Sequence, residues 1–330
     1  MFTVVIPAHN AEATLPHALA SVARQTLLPS EVLVIADASI DRTVDVAALF
    51  QNDLPLRILL RDEPGPGGYA ARNYGVAQAQ NQWIAFLDSD DTWTDHHLST
   101  LDAALRDHPH HRFATTGRLL ATPDSDRPRH TDFYTLAARA PYDDLEASDL
   151  IDAMLAGQSP ALTSCVAVTK DAFTQAGGFP AGKAKRGGDD DLWVRLTING
   201  YNLLRINKAT CSYTCHRPGS VTNTRSNIHG LHPIYRTAEA AKKSEIDPAI
   251  IKKLDSLANE KQLSWLRAAG GYRRKAEAVR TLSFSNLTHR GRARLLLWLA
   301  SPSLIDRVVR SLYRTVRRQL KSGSPPPPRA

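Results

Sequence analysis

Four side chains that carry oxygen atoms, Asp88, Ser89, Asp90 and Asp91, directly follow the apolar run WIAFL. A short apolar run bounded by polar residues is typical of a buried strand. Two carboxylates one residue apart at a strand end can hold a hard divalent cation, because Mg²⁺ and Mn²⁺ prefer oxygen ligands. Asp90 or Asp91 could instead cap the next helix, but a cap does not account for three carboxylates. The sequence therefore predicts a Mg²⁺ or Mn²⁺ site here.

Strands and helices alternate around this cluster. Apolar and β-branched runs predict strands at FTVVIP, EVLVIAD, LRILLRD and WIAFLD, and a segment with helical spacing follows each. This order predicts βαβ units and a mostly parallel sheet, whose ligands bind at the carboxyl ends of the strands. We therefore expect Pro7 to His9, Asp37 and Asp88 to Asp91 to converge on one crevice.

Beyond this region the pattern is less regular. RFATTGRLLA predicts a strand, DDDLWVRLTINGY an amphipathic helix, and NLLRI and ATCSYTCH two short strands. The segment from Thr122 to Pro141 has the composition of a loop, and residues from about Pro233 are predicted to be helical.

Composition indicates a globular chain with an unusual distribution of charge. The 330 residues correspond to about two domains, and 42% of them are apolar. Residues 261–330 contain 16 Lys and Arg against 2 Asp and Glu, whereas the rest of the chain holds 25 of the 41 basic and 31 of the 33 acidic residues. A mildly acidic body therefore precedes a strongly basic tail.

The three cysteines, Cys165, Cys211 and Cys215, provide no disulfide framework, which fits a reducing compartment. Cys211, Cys215 and His216 lie close in sequence, but their spacing is not that of a zinc finger. We expect no signal peptide, because the chain opens with a strand, and LLLWLA near the tail is too short to cross a bilayer. The expected location is the cytoplasm, with a peripheral position on the inner face of the cytoplasmic membrane left open by the tail.

Four segments resemble, in order and spacing, the motifs of family 2 glycosyltransferases with the GT-A fold. They are VVIPAHNAEATL, VLVIADASIDRT, GGYAARNYGVAQAQNQWIAFLDSDD and GGDDDLWVRLTINGY, and the resemblance covers about Phe2 to Thr222. It implies a Rossmann-like, mostly parallel sheet flanked by helices. It also implies an inverting, metal-dependent transfer of a sugar from a nucleotide-diphosphate donor, UDP-linked, to a hydroxyl of a saccharide or lipid-linked acceptor, in the synthesis of cell-surface polysaccharide or glycan.

The resemblance also implies residues that bind the donor. Asp37 matches the aspartate that accepts a hydrogen bond from the uracil ring, although the family often has two acidic residues here and Ala36 takes the first place. Arg72 belongs to an Arg-Asn pair, and the planar fork of an arginine fits phosphate oxygens. Alternatively, Asp37 caps a helix and Arg72 lies on a helix surface. The residues implied for the nucleotide sugar are Pro7, Ala8, His9, Asp37, Gly68, Arg72, Asn73, Asp88 and Ser89.

Asp88 and Asp90 match the DxD motif of the family, with Asp90 as the direct metal ligand and Asp88 reaching ribose or a metal-bound water. His216 matches a histidine that ligates the metal or touches phosphate, or else it is a solvent-facing strand residue. In GGDDDLW, the usual glutamate of the family is replaced by Gly188, and Asp189 matches the base, with Asp190 as its rival. One positioned carboxylate suffices to take the acceptor proton. Without a catalytic role, the three aspartates would make a favourable acidic first turn of a helix.

Two other functions compete with this one. IAFLDSDDT also resembles the motif of haloacid-dehalogenase-like phosphatases, in which Asp88 would be the nucleophile and Asp90 the general acid. That motif typically lies on the first strand, and it leaves Asp37, Arg72–Asn73 and GGDDDLW unexplained. A non-catalytic protein that binds nucleotide sugars is the third reading, because the usual glutamate is missing.

These observations predict three regions: a GT-A domain at residues 1–230, a helical extension at 231–321 and a disordered Pro-rich tail at 322–330. Ser301 to Lys321 has apolar residues at helical spacing with Arg and Lys between them. Such a helix is typical of one that binds an anionic membrane surface, although a packed helix with a solvated basic face fits too. Nucleic acid is not expected as a partner, because no nucleic-acid motif is present.

Overall fold

The structure, a computed structural model, describes residues 1–63, 65, 68–121, 130–214, 230–269 and 272–300. The chain divides into two compact units, Met1–Ala258 and Asn259–Ala330. The first unit therefore extends past residue 230, where the sequence predicted the end of the GT-A domain. The reason is that Ile234, Ala238 and Leu254 belong to the core of this unit.

The described residues of the first unit form a ten-stranded sheet. Its strands are β1 (Phe2–Ala8), β2 (Glu31–Asp37), β3 (Leu56–Arg61), β4 (Trp83–Phe86), β5 (Thr92–Trp93), β6 (Phe113–Ala121), β7 (His130–Thr131), β8 (Tyr142–Leu145), β9 (Val166–Thr169) and β10 (Leu203–Thr214). The order is β3-β2-β1-β4-β9-β6-β10-β5, with β7 beside β6 and β8 beside β10. Strands β3, β2, β1 and β4 are parallel, as are β6 and β10, and β9 runs antiparallel between β4 and β6. The carboxyl ends of the parallel strands therefore share one edge.

In the first unit helices pack on the sheet, and the helices of the second unit follow them along the chain. They are α1 (Leu15–Ala23), α2 (Thr43–Ala48), α3 (Tyr69–Gln78), α4 (His97–Asp107), α5 (Phe133–Ala137), α6 (Ala147–Leu155), α7 (Lys170–Gln175), α8 (Gly188–Ile198), α9 (Pro233–Ala241), α10 (Pro248–Ala269), α11 (Tyr272–Thr281) and α12 (His289–Ala300). In β2, Leu33 and Ile35 enter one apolar core while Val32 and Val34 enter another. Successive strand residues face opposite sides of a sheet, so both faces are buried and the strand is apolar throughout.

The predicted strands β1 to β4 and β6, and the predicted helices α3 and α8, are confirmed. The prediction of two short strands after residue 200 is wrong, because the two segments form one strand, β10. The register of its pairing with β6 shifts between Arg205 and Cys211, where the strand contains polar residues. The segment predicted as loop contains β7 and α5. Asp132 explains this helix, since its carboxylate caps α5 at the Thr135 N–H and pairs with buried Arg205.

The described part of the second unit is helical, as predicted for residues after Pro233. Its helices pack around a small core of Leu263, Leu266, Ala278, Leu287, Leu295 and Trp298. Among the helices that the structure describes, we find none with the length and apolar character needed to cross a membrane. The predicted amphipathic segment from Ser301 to Lys321 and the Pro-rich residues 322–330 lie outside the described residues.

Candidate active site

The end of β2 presents a buried carboxylate. Asp37, the last residue of β2, is 3% exposed and forms an ion pair with Arg61, the last residue of β3. The Gly65 N–H donates a hydrogen bond of 3.0 Å to the other carboxylate oxygen. Because both partners contribute donors, the carboxylate is held in one orientation as a pure acceptor.

The end of β1 lies next to the end of β2. Pro7 and Ala8 are buried in β1, whereas His9 is exposed directly after it. The His9 Nδ1 atom is 2.6 Å from the carbonyl oxygen of Asp37. The two strand ends that the sequence assigned to the base and ribose are therefore in contact.

Helix α3 brings a buried arginine to the carboxylate cluster. Gly68 precedes the helix with a φ of 72°, a conformation that glycine adopts without strain. Arg72 is buried and forms an ion pair with Asp88. Although burial favours the neutral form, the adjacent Asp88 carboxylate raises the pKa of Arg72. The guanidinium is therefore a fixed positive charge beside the acidic residues.

Asn73 has a different environment from its neighbour Arg72. Its amide nitrogen donates to the carbonyl oxygen of Phe179, and its amide oxygen accepts from the Phe179 N–H, both at 2.9 Å. These bonds connect α3 to the segment that leads into α8. The structure thus gives Asn73 a part in positioning that segment, and its contact with the donor stays a prediction.

Asp88, Asp90 and Asp91 each offer one oxygen within 4.8 Å of the others. Ser89 lies between them, half-buried. Buried Asp91 accepts a hydrogen bond from the Ser164 hydroxyl, whose oxygen in turn accepts from the Asp88 N–H at 3.1 Å. Three carboxylate oxygens this close form a donor set that suits Mg²⁺ or Mn²⁺. Asp91 is buried, whereas Asp88 and Asp90 are half-buried, and the assignment of Asp88 and Asp90 as metal ligands stays a prediction.

Ser164 is a residue of this site that sequence reasoning did not find. It lies in a 3₁₀ turn, Thr163–Cys165, and its carbonyl oxygen accepts a 2.7 Å hydrogen bond from the Trp93 indole. Its side chain fixes the turn from Asp88 to Asp91. No local pattern indicates this role, because the contact joins residues 73 positions apart.

The three aspartates of GGDDDLW have different environments in the first turn of α8. Asp191 is buried, pairs with Arg195 and accepts a 2.6 Å hydrogen bond from the Thr237 hydroxyl, so it anchors the helix. Asp189 and Asp190 are half-buried. The N–H of Gly188, the first residue of α8, donates a 2.8 Å hydrogen bond to the hydroxyl of Tyr69, the first residue of α3. The start of α8 therefore lies against the start of α3.

The third predicted metal ligand, His216, lies outside the described residues, as does Cys215. Cys165 and Cys211 are buried free thiols. The prediction of His216 as a ligand is consequently carried by the resemblance alone.

Parts of this chain are similar in sequence to known glycosyltransferases. Residues 3–162 match Glycosyl transferase family 2. A segment of 92 residues is 38% identical to a PGL/p-HBAD biosynthesis glycosyltransferase of Mycobacterium tuberculosis, and it covers 28% of this chain and 36% of that protein. Over 257 residues the chain is 23% identical to an uncharacterized glycosyltransferase of Haemophilus influenzae, covering 76% and 83% of the two chains. The chain thus spans only about a third of the first curated relatives it matches.

Among solved structures, TarS residues 1–349 from S. aureus in complex with UDP-GlcNAc are similar to this chain. The TM-score is 0.66 at 18% identity, and the likeness covers 98% of this chain and 92% of that one. At this level of identity the likeness concerns the fold. It extends over the sheet and over the helices that follow it.

Proposed function

This chain belongs to glycosyltransferase family 2 and has the GT-A fold, and we propose that it transfers a sugar, with inversion, from a UDP-linked donor to a hydroxyl of an acceptor. The observation that carries the proposal is the Arg72–Asp88 ion pair. It joins the arginine of α3 to the carboxylate cluster, and the turn of α8 that carries Asp189 is hydrogen-bonded to Tyr69 of the same α3. Three motifs distant in sequence thus meet at the edge where ligands of parallel sheets bind.

The base of the donor would bind at the ends of β1 and β2. Held by Arg61 and the Gly65 N–H, the Asp37 carboxylate can only accept a hydrogen bond, which suits the N3–H of uracil. Cytosine has an acceptor at that ring position and would be disfavoured. The complex of TarS with UDP-GlcNAc supports a uracil nucleotide.

The diphosphate would lie between Arg72 and the carboxylate cluster. Mg²⁺ or Mn²⁺ held by Asp88 and Asp90, with His216 as a further ligand, would offset the negative charge of the departing UDP. Arg72 would contribute a second positive charge beside Asp88. Asp88 would contact both the metal and Arg72, since it is already paired with Arg72.

Asp189 is the proposed base. As the acceptor hydroxyl attacks the anomeric carbon, the Asp189 carboxylate takes its proton. The new C–O bond forms on the face opposite the bond to the diphosphate, and UDP departs with the electron pair of that bond. The anomeric configuration is therefore inverted. Asp190 is the rival for this role, whereas Asp191 is already bound to Arg195 and Thr237.

Inversion can be tested without knowledge of the acceptor. The protein is incubated with Mn²⁺ and a panel of α-linked donors, UDP-glucose, UDP-galactose and UDP-GlcNAc, and the free sugar is followed by proton NMR with water as acceptor. We expect UDP release and the β anomer as the first product. Release of the α anomer would contradict inversion, and absence of UDP release from every donor would contradict the transferase itself.

The two competing functions are not favoured. A phosphatase nucleophile must attack phosphorus directly, but Asp88 follows the fourth strand of the chain and is paired with Arg72. The match of residues 3–162 to a transferase family also opposes it. A protein that only binds nucleotide sugars needs no base at Asp189. The assay of UDP release distinguishes it, because such a protein would release no UDP.

Asp37→Ala is expected to weaken UDP binding more than CDP binding. A hydrogen bond to a charged group contributes roughly 1.5–3 kcal/mol, which corresponds to about 10- to 150-fold in affinity. Isothermal calorimetry with both nucleotides measures the two losses. Asp62→Ala is the matched control, since Asp62 is an exposed aspartate next to Arg61. Equal losses for UDP and CDP would remove Asp37 as the base-reading residue.

The acceptor is proposed to be a saccharide or lipid-linked glycan at an anionic membrane surface. Residues 261–330 supply 16 basic residues, and in α12 the side chains of Leu296 and Leu297 are 55% and 69% exposed. Basic and apolar side chains together bind anionic bilayers, at about 1 kcal/mol for each Lys or Arg near the surface.

Flotation with anionic liposomes tests this surface. We expect the full chain to float, and the chain lacking Ser301 to Ala330 or carrying L296E/L297E to float less. Neutral liposomes serve as the control. Equal flotation of all three proteins would exclude a role of the tail and of α12 in membrane binding.

A further inference from the structure

Tyr69, the first residue of α3, connects that helix to α8. Its side chain is buried, and its ring stacks on Phe179 with centroids 5.5 Å apart and planes 6° from parallel. Its hydroxyl accepts a 2.8 Å hydrogen bond from the N–H of Gly188. Gly188 is the first residue of α8 and immediately precedes Asp189. The hydroxyl therefore holds the helix turn that carries the proposed base.

The position of Gly188 has no room for a side chain. A Cβ atom there would lie 2.7 Å from the Tyr69 Cζ atom and 2.6 Å from the Pro180 Cγ atom, well inside van der Waals contact. The resemblance described above implies a glutamate at this position. In this chain the phenol ring and Pro180 together fill the space, so only glycine fits beside Tyr69.

We propose that Tyr69 is a positioning residue for Asp189, a role that rests on the proposed function of Asp189 as base. The first N–H groups of a helix have no partner within the helix, and the phenol oxygen satisfies the one at Gly188. Fixing this N–H fixes the backbone turn from which the Asp189 carboxylate projects.

The state of the phenol supports this role. Burial raises the pKa of Tyr69, and the nearby Asp189 carboxylate raises it further. The hydroxyl therefore stays neutral, accepting from Gly188 while keeping a proton of its own to donate. A phenylalanine would preserve the stacking on Phe179 and remove only this polar contact.

Other contacts hold the same region independently. Asp191 binds Arg195 and Thr237, and Asn73 binds the backbone of Phe179 on both sides. Removal of the Tyr69 hydroxyl is consequently expected to misdirect Asp189 without unfolding α8. Misplacement of a reacting group by about 1 Å can cost about 100-fold in rate.

The test compares Tyr69→Phe with Tyr74→Phe, a more exposed tyrosine of the same helix. We expect Tyr69→Phe to lower kcat for UDP release from the active donor by about 10- to 100-fold, with the Kd of UDP within about 2-fold of wild type. Tyr74→Phe should leave both unchanged. Gly188→Ala, whose methyl group would press on both the ring and Pro180, should also lower kcat.

The double variant Y69F/D189N shows whether Tyr69 acts through Asp189. If it does, Y69F adds no further loss to the residual rate of D189N, because residues that act as a unit are not additive. A wild-type protein that releases no UDP contradicts the proposed function. An active wild type with an equally active Tyr69→Phe, or with the full Y69F loss still present in D189N, overturns the role of Tyr69 alone.

Discussion

Asp189→Asn is expected to lower kcat by about 100- to 10,000-fold and to leave the Kd of UDP close to that of the wild type. The amide has the shape of the carboxylate but cannot take the acceptor proton. The proposed UDP site lies elsewhere, at Asp37, Arg72 and the carboxylate cluster, so the affinity for UDP should not change. Steady-state UDP release and calorimetry on the same preparation measure both quantities.

Asp190→Asn is the matched control, because Asp190 is the adjacent half-buried aspartate of the same helix turn. It should retain most of the wild-type rate. If Asp190→Asn loses turnover and Asp189→Asn does not, the base is one residue further along. If neither does, the start of α8 does not supply the base.

Asp90→Ala is expected to abolish the part of UDP affinity that depends on Mn²⁺. Loss of an outer partner of a metal ligand already costs about 10- to 100-fold in metal affinity, so loss of the ligand itself should cost at least as much. Calorimetric titration of UDP with Mn²⁺ and with a chelator measures the difference in each protein.

Asp95→Ala is the control for this variant. It removes the same charge nearby, but Asp95 is exposed and pairs only weakly with Arg24 across 3.4 Å. Its UDP affinity should keep the full response to Mn²⁺. An Asp90→Ala protein with that same full response would remove the cluster as the metal site.

The sequence predicted the strands and the edge of the sheet where the site lies, and these predictions depend on local patterns. The strand from Trp83 to Phe86 could be recognised because both of its faces are buried and its residues are apolar throughout. The order of strands and helices then places Asp37 and Asp88 at the same edge. Composition alone could not place the end of the first unit, because α9 joins the core through tertiary contacts of Ile234 and Ala238.

What the sequence could not predict are the contacts between distant residues that orient the site. Ser164 meets Asp91 across 73 positions, and Tyr69 meets Gly188 across 119. Neither pair leaves a signal in the spacing of either segment. The sequence indicates only that the usual glutamate is replaced by Gly188, whereas the structure shows that the Tyr69 ring and Pro180 occupy that space.

The motif GGDDDLW shows the same limit within one helix turn. Its three aspartates are equivalent in sequence, but Asp191 is buried against Arg195 and Thr237 while Asp189 and Asp190 are half-buried. Helical geometry causes this difference, since successive residues point about 100° apart around the axis. Only the packing of α8 against α9 decides which of them faces inward.

The measurement that tests the central claim most directly is calorimetric binding of UDP, GDP, CDP and dTDP to the full chain, with Mn²⁺ and with chelator. We predict that UDP binds with Mn²⁺, more tightly than CDP or GDP, and that the chelator weakens this binding by at least about 10-fold. Failure of all four nucleotides to bind in the presence of Mn²⁺ would contradict a nucleotide-sugar site at the ends of these strands.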